Sequence, residues 1–383
     1  MKIAYFLPAE NVLSETFIAD LIAGLRQSGV EVQLAPNQSP DSITALNFEQ
    51  RPIFDRLLAR LAHATAGRWH YVDRYRCSVA ARQRVVRFLR QTMPDVAYVD
   101  YATQAMLLAP MLQEASVPMV VHVHGFDVTA MMGNTFFVEQ LAGLFAYVHV
   151  FVVPSQHLRR RLLLAGCEPA KVRVVHYEPN LEGWQALPMA ERTAVPSVAA
   201  LGRLTPKKNP LALIRAFALV HAQLPAARLT LIGTGPLRSQ VRQLVHELKL
   251  ESVVELTGAL PRQEALARVR QHWLFAQHSV TAPNGDQEGF PVAIAEACAL
   301  SMPVVSNRHS GIPEQVIDGE TGFLVAEHDY EAMAAKMLEL LQDPAKCTAM
   351  GQRGQQHIQQ LCPPGQRVTA ILKHLRRVAA LQL

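Results

Sequence analysis

The chain lacks any close pair of cysteines. Its five, Cys77, Cys167, Cys298, Cys347 and Cys362, are odd in number and far apart, with no C-x-x-C. Zinc-ribbon and dithiol chemistry therefore have no support, and isolated, mostly packed thiols are expected. No apolar run approaches the roughly 18–20 residues needed to span a bilayer. The longest candidate, Leu141 to Val153, is interrupted by His149 and reads as a helix end followed by a buried strand. The N-terminus, Met1-Lys-Ile-Ala-Tyr-Phe-Leu-Pro8, enters a strand at once, without the longer apolar core and cleavage site of a signal peptide. A cytoplasmic location is the expectation. The loop after that strand, Pro8 to Ile18, contains no glycine. A dinucleotide-binding dehydrogenase, whose glycine fingerprint belongs there, is disfavoured. No Asp-x-Asp metal motif occurs.

What the chain does have is length and alternation. At 383 residues it exceeds what one hydrophobic core usually supports. Half of it is apolar and 18% is charged, a folded composition. Short Val/Ile/Leu-rich runs alternate with helical patterns. In the first half strands are expected near Lys2–Leu7, Val30–Ala35, Val96–Asp100, Met119–His124, Val148–Val153 and Val172–Tyr177. In the second half they fall near Ser197–Gly202, Arg228–Gly233, Val253–Thr257, Leu274–Gln277, Val304–Ser306 and Gly322–Val325. Continuous rather than alternating apolar runs imply strands buried on both faces of parallel sheets. Helices between them imply right-handed crossovers, hence two doubly wound α/β domains. The boundary is expected between Asn180 and Pro196, which holds two prolines beyond Asn180 before the next strand and no strand pattern. Domains over 1–180 and 197–364, a linker over 181–196 and a terminal basic helix within 365–383 follow.

The most informative stretch is Glu288-Gly-Phe-Pro-Val-Ala-Ile-Ala-Glu296. Pro291 suits a first helical position, and residues eight apart on a helix differ by roughly 80° and share a broad face. Glu288 would stand above the free N–H groups of the helix start, which favour anions, and Glu296 would lie deeper. Chance alone also puts two glutamates eight apart. Gly202-Arg-Leu-Thr-Pro-Lys-Lys-Asn-Pro210 carries Arg203, Lys207 and Lys208 directly after a strand, where open α/β sheets bind ligands. A solvated basic turn is the competing reading. Gly233-Thr-Gly235 ends the next strand, and its glycines suit either close approach to a ligand or a tight turn. Gly258 and Leu260 close another strand, and the loop Ser306 to Pro313 follows one more. In the first half, His122-Val-His-Gly-Phe-Asp127 ends a buried strand. His124 should sit at its carboxyl edge, His122 deeper, and Asp127 either orients His124 or caps the helix after it.

The ensemble of Pro283-Asn-Gly-Asp-Gln-Glu-Gly-Phe-Pro291, Glu296 and Gly311 to Val325 resembles the donor site of the retaining glycosyltransferases of family 4, which have the GT-B fold: two Rossmann-like domains facing each other across a cleft. The Pro-Asn-Gly-Asp-x-Glu-Gly wording and the Ser14-Glu-Thr-Phe-Ile18 stretch resemble the branch that builds exopolysaccharides such as colanic acid. The resemblance implies a second domain that binds a UDP- or GDP-sugar and a first that binds the acceptor. Arg203 and Lys208 would hold the diphosphate. Glu288 and Glu296 would grip sugar and ribose, with Gly233, Gly235, Gly289, Phe290 and Pro291 lining the site and backbone near Gly258 and Leu260 facing the base. His124 would lie close to the reacting sugar, no metal would be needed, and the last helix would return to the first domain. Two departures stand out: the glycine-free first loop, where Glu15 either contacts acceptor or serves a helix start, and Tyr177-Glu-Pro-Asn180 in place of a Gly-Ile/Val-Asp turn.

Residues 51 to 92 hold ten arginines and no lysine or glutamate, with Phe54, Trp69, Tyr71, Tyr75 and Phe88 interleaved. Such a stretch reads either as interfacial, docking on an anionic membrane toward a lipid-linked acceptor, or as a solvated helical face. Nucleic acid is a poorer partner, because no recognised module is present. Alternatives to transfer are a phosphorylase, a nucleotide-sugar epimerase, or a non-catalytic partner subunit of the same fold.

Overall fold

The structure, a computed structural model, describes residues 1–7, 16–35 and 79–382. Residues 8–15 of the first loop, Ser14 and Glu15 among them, Cys77, and the 51–78 part of the arginine-rich stretch lie outside the described residues. The chain divides into two compact units, Met1–Val175 with Val368–Leu383, and His176–Arg367.

The first unit contains β1 (Lys2–Phe6), β2 (Glu31–Leu34), β3 (Val96–Asp100), β4 (Met119–His122), β5 (Val148–Val153) and β6 (Val172–Val174) in the order β2-β1-β3-β4-β5-β6, all parallel. The two-residue period of β1 feeds both faces. Ile3 and Tyr5 join a core completed by helices Thr16–Gln27 and Gln366–Ala379, through Leu21, Leu25, Ile371 and Leu375. Ala4 and Phe6 join the opposite core, covered by Val79–Thr92, Ala102–Glu114, Thr135–Leu144 and Gln156–Leu164. Helix Val79–Thr92 is the described part of the arginine-rich stretch. It buries Val85 and Leu89, packs Phe88 edge-on against Phe6 at 5.8 Å, and exposes Arg82, Arg87 and Arg90. Arg82 is paired with Glu114.

The second unit contains β7 (Ser197–Leu201), β8 (Arg228–Ile232), β9 (Val254–Gly258), β10 (Leu274–Ala276), β11 (Val304–Asn307) and β12 (Gly322–Val325), in the order β12-β11-β10-β7-β8-β9. This is the doubly wound dinucleotide-fold order, with its topological switch between β7 and β10. One face is covered by helices Pro210–Gln223 and Tyr330–Leu341 through Leu213, Phe217, Met333 and Met337. All twelve expected strands form. The largest difference is at β6, which ends at Val174 because the chain leaves the first unit there: His176 and Tyr177 pack on Phe290, with ring centroids 5.1 and 6.3 Å away.

The stretch 181–196, expected as a linker, is held inside the second unit. Trp184 donates to Gln263 and lies under the Arg270 guanidinium, and Arg192 is 9% exposed. The Arg192 guanidinium donates to the carbonyls of Leu187, His272, Trp273, Leu300 and Ser301 at 3.1–3.4 Å. A segment with no strand period is thus fixed by side-chain hydrogen bonds. Cys167, Cys298, Cys347 and Cys362 are free and buried, and burial pushes their thiols up, to about 12 for Cys298 and Cys347.

Candidate active site

At the β7–β10 switch of the second unit, two loops supply the charged groups. After β7 the chain makes a tight turn, Pro206–Lys208. Asn209 then takes a left-handed conformation, φ 35°, which Asn tolerates better than most residues. Pro210 starts the next helix, where its missing N–H costs nothing. The turn is tied to the loop after β10 by Val280 N donating to Lys207 O at 2.9 Å. In that second loop, Asn284 and Gly285 make a reverse turn: Gly285 N and Ala282 O are 2.8 Å apart, and Gly285 has φ 80°. The turn brings Asp286 to Lys207 at 3.1 Å and Glu288 to Lys208 at 3.1 Å.

Burial pushes the Glu288 carboxyl up, but Lys208 and Lys207 outweigh it and hold the group below the usual carboxylate range. Burial lowers Lys208, partly offset by Glu288. Arg203 is exposed, and among the described residues no carboxylate is paired with it. Three cations therefore face two carboxylates. The surplus is an Arg, whose planar fork matches phosphate oxygens. Gly202, Arg203, Lys208, Ala276, Gln277 and His278 line a small cavity at these strand ends.

Other expectations are redrawn. Helix Val292–Ala299 begins after Pro291, so Glu288 belongs to the preceding loop and not to a helical face shared with Glu296. Glu296 is on the helix, 6% exposed, and is paired with Arg262 Nη2 at 2.8 Å. Arg262 also donates to Asn180 O. Phe290 is 2% exposed and packed among His176 and Tyr177, so its ring shapes the loop from below. Gly289 and Pro291 are buried beside it. Gly233 and Gly235 make room for backbone: a Cβ on Gly233 would lie 2.0 Å from Gly202 O, and one on Gly235 2.6 Å from Leu204 O. Their glycine identity follows from the seating of the Arg203 loop on the end of β8. Gly258 has φ 76° with open space around its Cβ position, and Leu260 is half-buried.

The first unit has its own polar cluster where β3 and β4 end. Asp100 is paired in register with His122, and both are fully buried. His124 Nε2 lies 2.8 Å from Asp100 Oδ1, and His122 Nδ1 lies 2.7 Å from the Tyr98 hydroxyl. The His124 ring rests among Tyr101, His122 and Phe17, at 4.6, 4.2 and 5.1 Å. Tyr101 has φ 70° and ψ 131°, rare for a residue with a side chain and a strain of order 1–3 kcal/mol. Asp127, expected either to orient His124 or to cap the helix after it, accepts from the backbone N–H groups of Ala102 and His124, at 2.8 and 3.3 Å. Asp100 orients the ring. Among the described residues, Asp100, His122 and His124 are the one group with ligand atoms close enough together to hold a metal ion. Within the group the hydrogen bonds form two pairs, His124 with Asp100 and His122 with Tyr98, and His122 Nδ1 lies 3.9 Å from Asp100 Oδ1.

Sequence reasoning missed Arg262, His309 and Asp100. Asp100 had a legible signal, a carboxylate ending an apolar strand next to one that ends in histidine. The others did not.

Two parallel doubly wound units, the second with surplus positive charge at its switch point, define a two-domain transferase of the GT-B type. Two family models match, Glycosyltransferase Family 4 over residues 14–177 and Glycosyl transferases group 1 over residues 190–357. The chain belongs to the family 4 glycosyltransferases. It is 28% identical over 366 residues to the putative colanic acid biosynthesis glycosyltransferase WcaL of Salmonella typhimurium, covering 88% of this chain and 90% of that one. It is 35% identical over 207 residues to the amylovoran biosynthesis glycosyltransferase AmsK of Erwinia amylovora, covering 53% and 50%. Among solved structures, Anabaena Alr3699/HepE in complex with UDP and glucose superposes with a TM-score of 0.74 at 20% identity over 98% of this chain and 99% of that one.

Proposed function

We propose that the protein moves a sugar from a nucleotide-sugar to a saccharide acceptor in the assembly of an extracellular polysaccharide. The observation that carries this reading is the surplus cation at the β7–β10 switch: Arg203 beside the Lys208–Glu288 and Lys207–Asp286 pairs. Arg203 and Lys208 neutralise the diphosphate as it leaves. Glu288 accepts hydrogen bonds from sugar hydroxyls, Glu296 from the ribose, and the backbone at Gly258 and Leu260 meets the base. His124, oriented by Asp100, serves the reacting sugar. The UDP and glucose named in the HepE complex and the polysaccharides named for WcaL and AmsK support the donor class and the pathway class. Retention at the anomeric carbon and a lipid-linked acceptor rest on family resemblance; proton NMR of the product decides the first.

Thermal-shift measurement against UDP, GDP, ADP and their sugars tests the donor site. A ligand at about 100 times its Kd adds roughly 2.7 kcal/mol of stability. One base family is expected to raise Tm in the native protein and not in Arg203→Ala. A shift retained in Arg203→Ala would remove that residue from the site.

No helix among the described residues is long and apolar enough to cross a membrane. The same reading includes peripheral docking through 51–92, to which the exposed Arg87 and Arg90 contribute. Flotation with anionic vesicles is expected to carry the protein at low salt and release it near 1 M, where the Debye length falls to about 3 Å. Equal flotation with neutral vesicles would sink the idea.

A further inference from the structure

The loop after β11 holds a buried imidazole that the proposed chemistry does not use. His309 is 2% exposed. Its Nε2 receives the backbone N–H of Glu288 at 3.1 Å. A backbone N–H only donates, so Nε2 must be unprotonated, and Nδ1 must carry the proton. Nδ1 lies 2.7 Å from Glu327 Oε1, just beyond β12. The other carboxylate oxygen of Glu327 accepts from Thr281 N at 2.8 Å, on the loop that leads to Glu288. Burial pushes Glu327 up, but the His309 bond and the Thr281 N–H outweigh it and leave the group below the ordinary carboxylate range. One tautomer is thereby fixed. The next residue, Ser310, donates its hydroxyl to Glu288 O.

Glu288 is thus held at three points. Its amide is held by His309, its carbonyl by Ser310, and its carboxylate by Lys208 at 3.1 Å. A carboxylate–imidazole pair that ends on a backbone amide orients main chain; no proton needs to move. We infer that His309, locked by Glu327, is a positioning residue for sugar transfer, and that it sets the main chain of Glu288 so that the carboxylate meets the donor sugar. This rests on Glu288 being a donor-sugar ligand. A misplacement near 1 Å in such a group costs ~10²-fold in rate.

The test uses the full chain with His309→Ala, His309→Gln and Arg203→Ala, each checked for a cooperative melt. In His309→Ala, kcat for transfer is expected to fall ~10²-fold, while the affinity for UDP or GDP alone stays within about twofold of the native value, because Arg203 and Lys208 are untouched. In His309→Gln, the amide oxygen can take the place of Nε2 as acceptor, and most of the rate should return. The inference is overturned if folded His309→Ala keeps its rate. It is also overturned if His309→Gln is as slow as His309→Ala, or if nucleotide affinity falls in step with kcat, which would mark general loosening. If Arg203→Ala binds nucleotide like the native protein, the donor-site reading itself fails, independently of the His309 results.

Discussion

Lys208→Ala is expected to lower kcat about 10²–10³-fold, the loss of one preorganised group facing developing charge. Lys208 sits between the Glu288 carboxylate and the Gly202 backbone, with its Cε 3.5 Å from where a Gly202 Cβ would be. Its ammonium meets Glu288 at 3.1 Å and Gln277 Oε1 at 3.2 Å, and the side chain lines the small cavity at the end of β7. The substitution has a second, thermodynamic signature. In the native protein the Glu288 carboxyl is held low. The stability it contributes is complete above the ordinary carboxylate pKa and is lost as pH falls through the lowered native value. Without Lys208, burial is opposed mainly by Lys207, so the carboxyl climbs toward the ordinary value and the acid loss of stability that this group contributes shrinks, reversing in sign if the carboxyl passes that value. Melting curves from about pH 7 down to about pH 4 read this directly. Native-like kcat together with an unmoved acid limb would show that the 3.1 Å pair is incidental.

Arg192→Ala is expected to destabilise the fold more than Lys208→Ala or His309→Ala, and to leave chemistry intact at permissive temperature. Five carbonyls from three separate segments converge on one guanidinium. Net values for hydrogen bonds to charged groups are about 1.5–3 kcal/mol each and far from additive, so a total of about 3 kcal/mol is a conservative expectation. At roughly 2–4 °C per kcal/mol for a unit of this size, Tm of the second unit should drop ~6–12 °C. Arg192→Lys should recover little, since a single ammonium has three donors and no planar fork. Calorimetry resolves the transition, and a drop under about 2 °C would mean the carbonyls find other partners or water.

What the sequence made legible depends on the kind of signal each feature leaves. Strands buried on both faces leave unbroken apolar runs, and all twelve could be read, with the doubly wound architecture that they imply. Glu288, Lys208 and His124 were legible because each sits in a short wording beside a strand end. Their partners were not. Arg262 meets Glu296 across 34 residues, His309 meets Glu288 across 21, and Arg192 reaches carbonyls 80 to 109 residues away. Nothing periodic marks a side chain whose partner is brought close only by the sheet order. Glu288 misses the helical face of Glu296 for a local reason: Gly289 to Pro291 delay the helix to Val292, so spacing in sequence did not translate into angle around an axis.

The chain crosses between its units twice, at Val175–His176 and at Arg367–Val368. During synthesis, therefore, β1 and helix Thr16–Gln27 emerge before the second unit, yet the other helix that covers Ile3 and Tyr5 contributes Ile371 and Leu375 only after every residue of that unit. The second unit has all its own strands before the first has its final layer. At ribosomal speeds of about 5–20 residues per second, the face around Tyr5, Leu21 and Leu25 waits on the order of ten seconds or more for Ile371 and Leu375. The usual N-to-C order of domain completion is inverted, and the nascent first unit is the species that chaperones would meet.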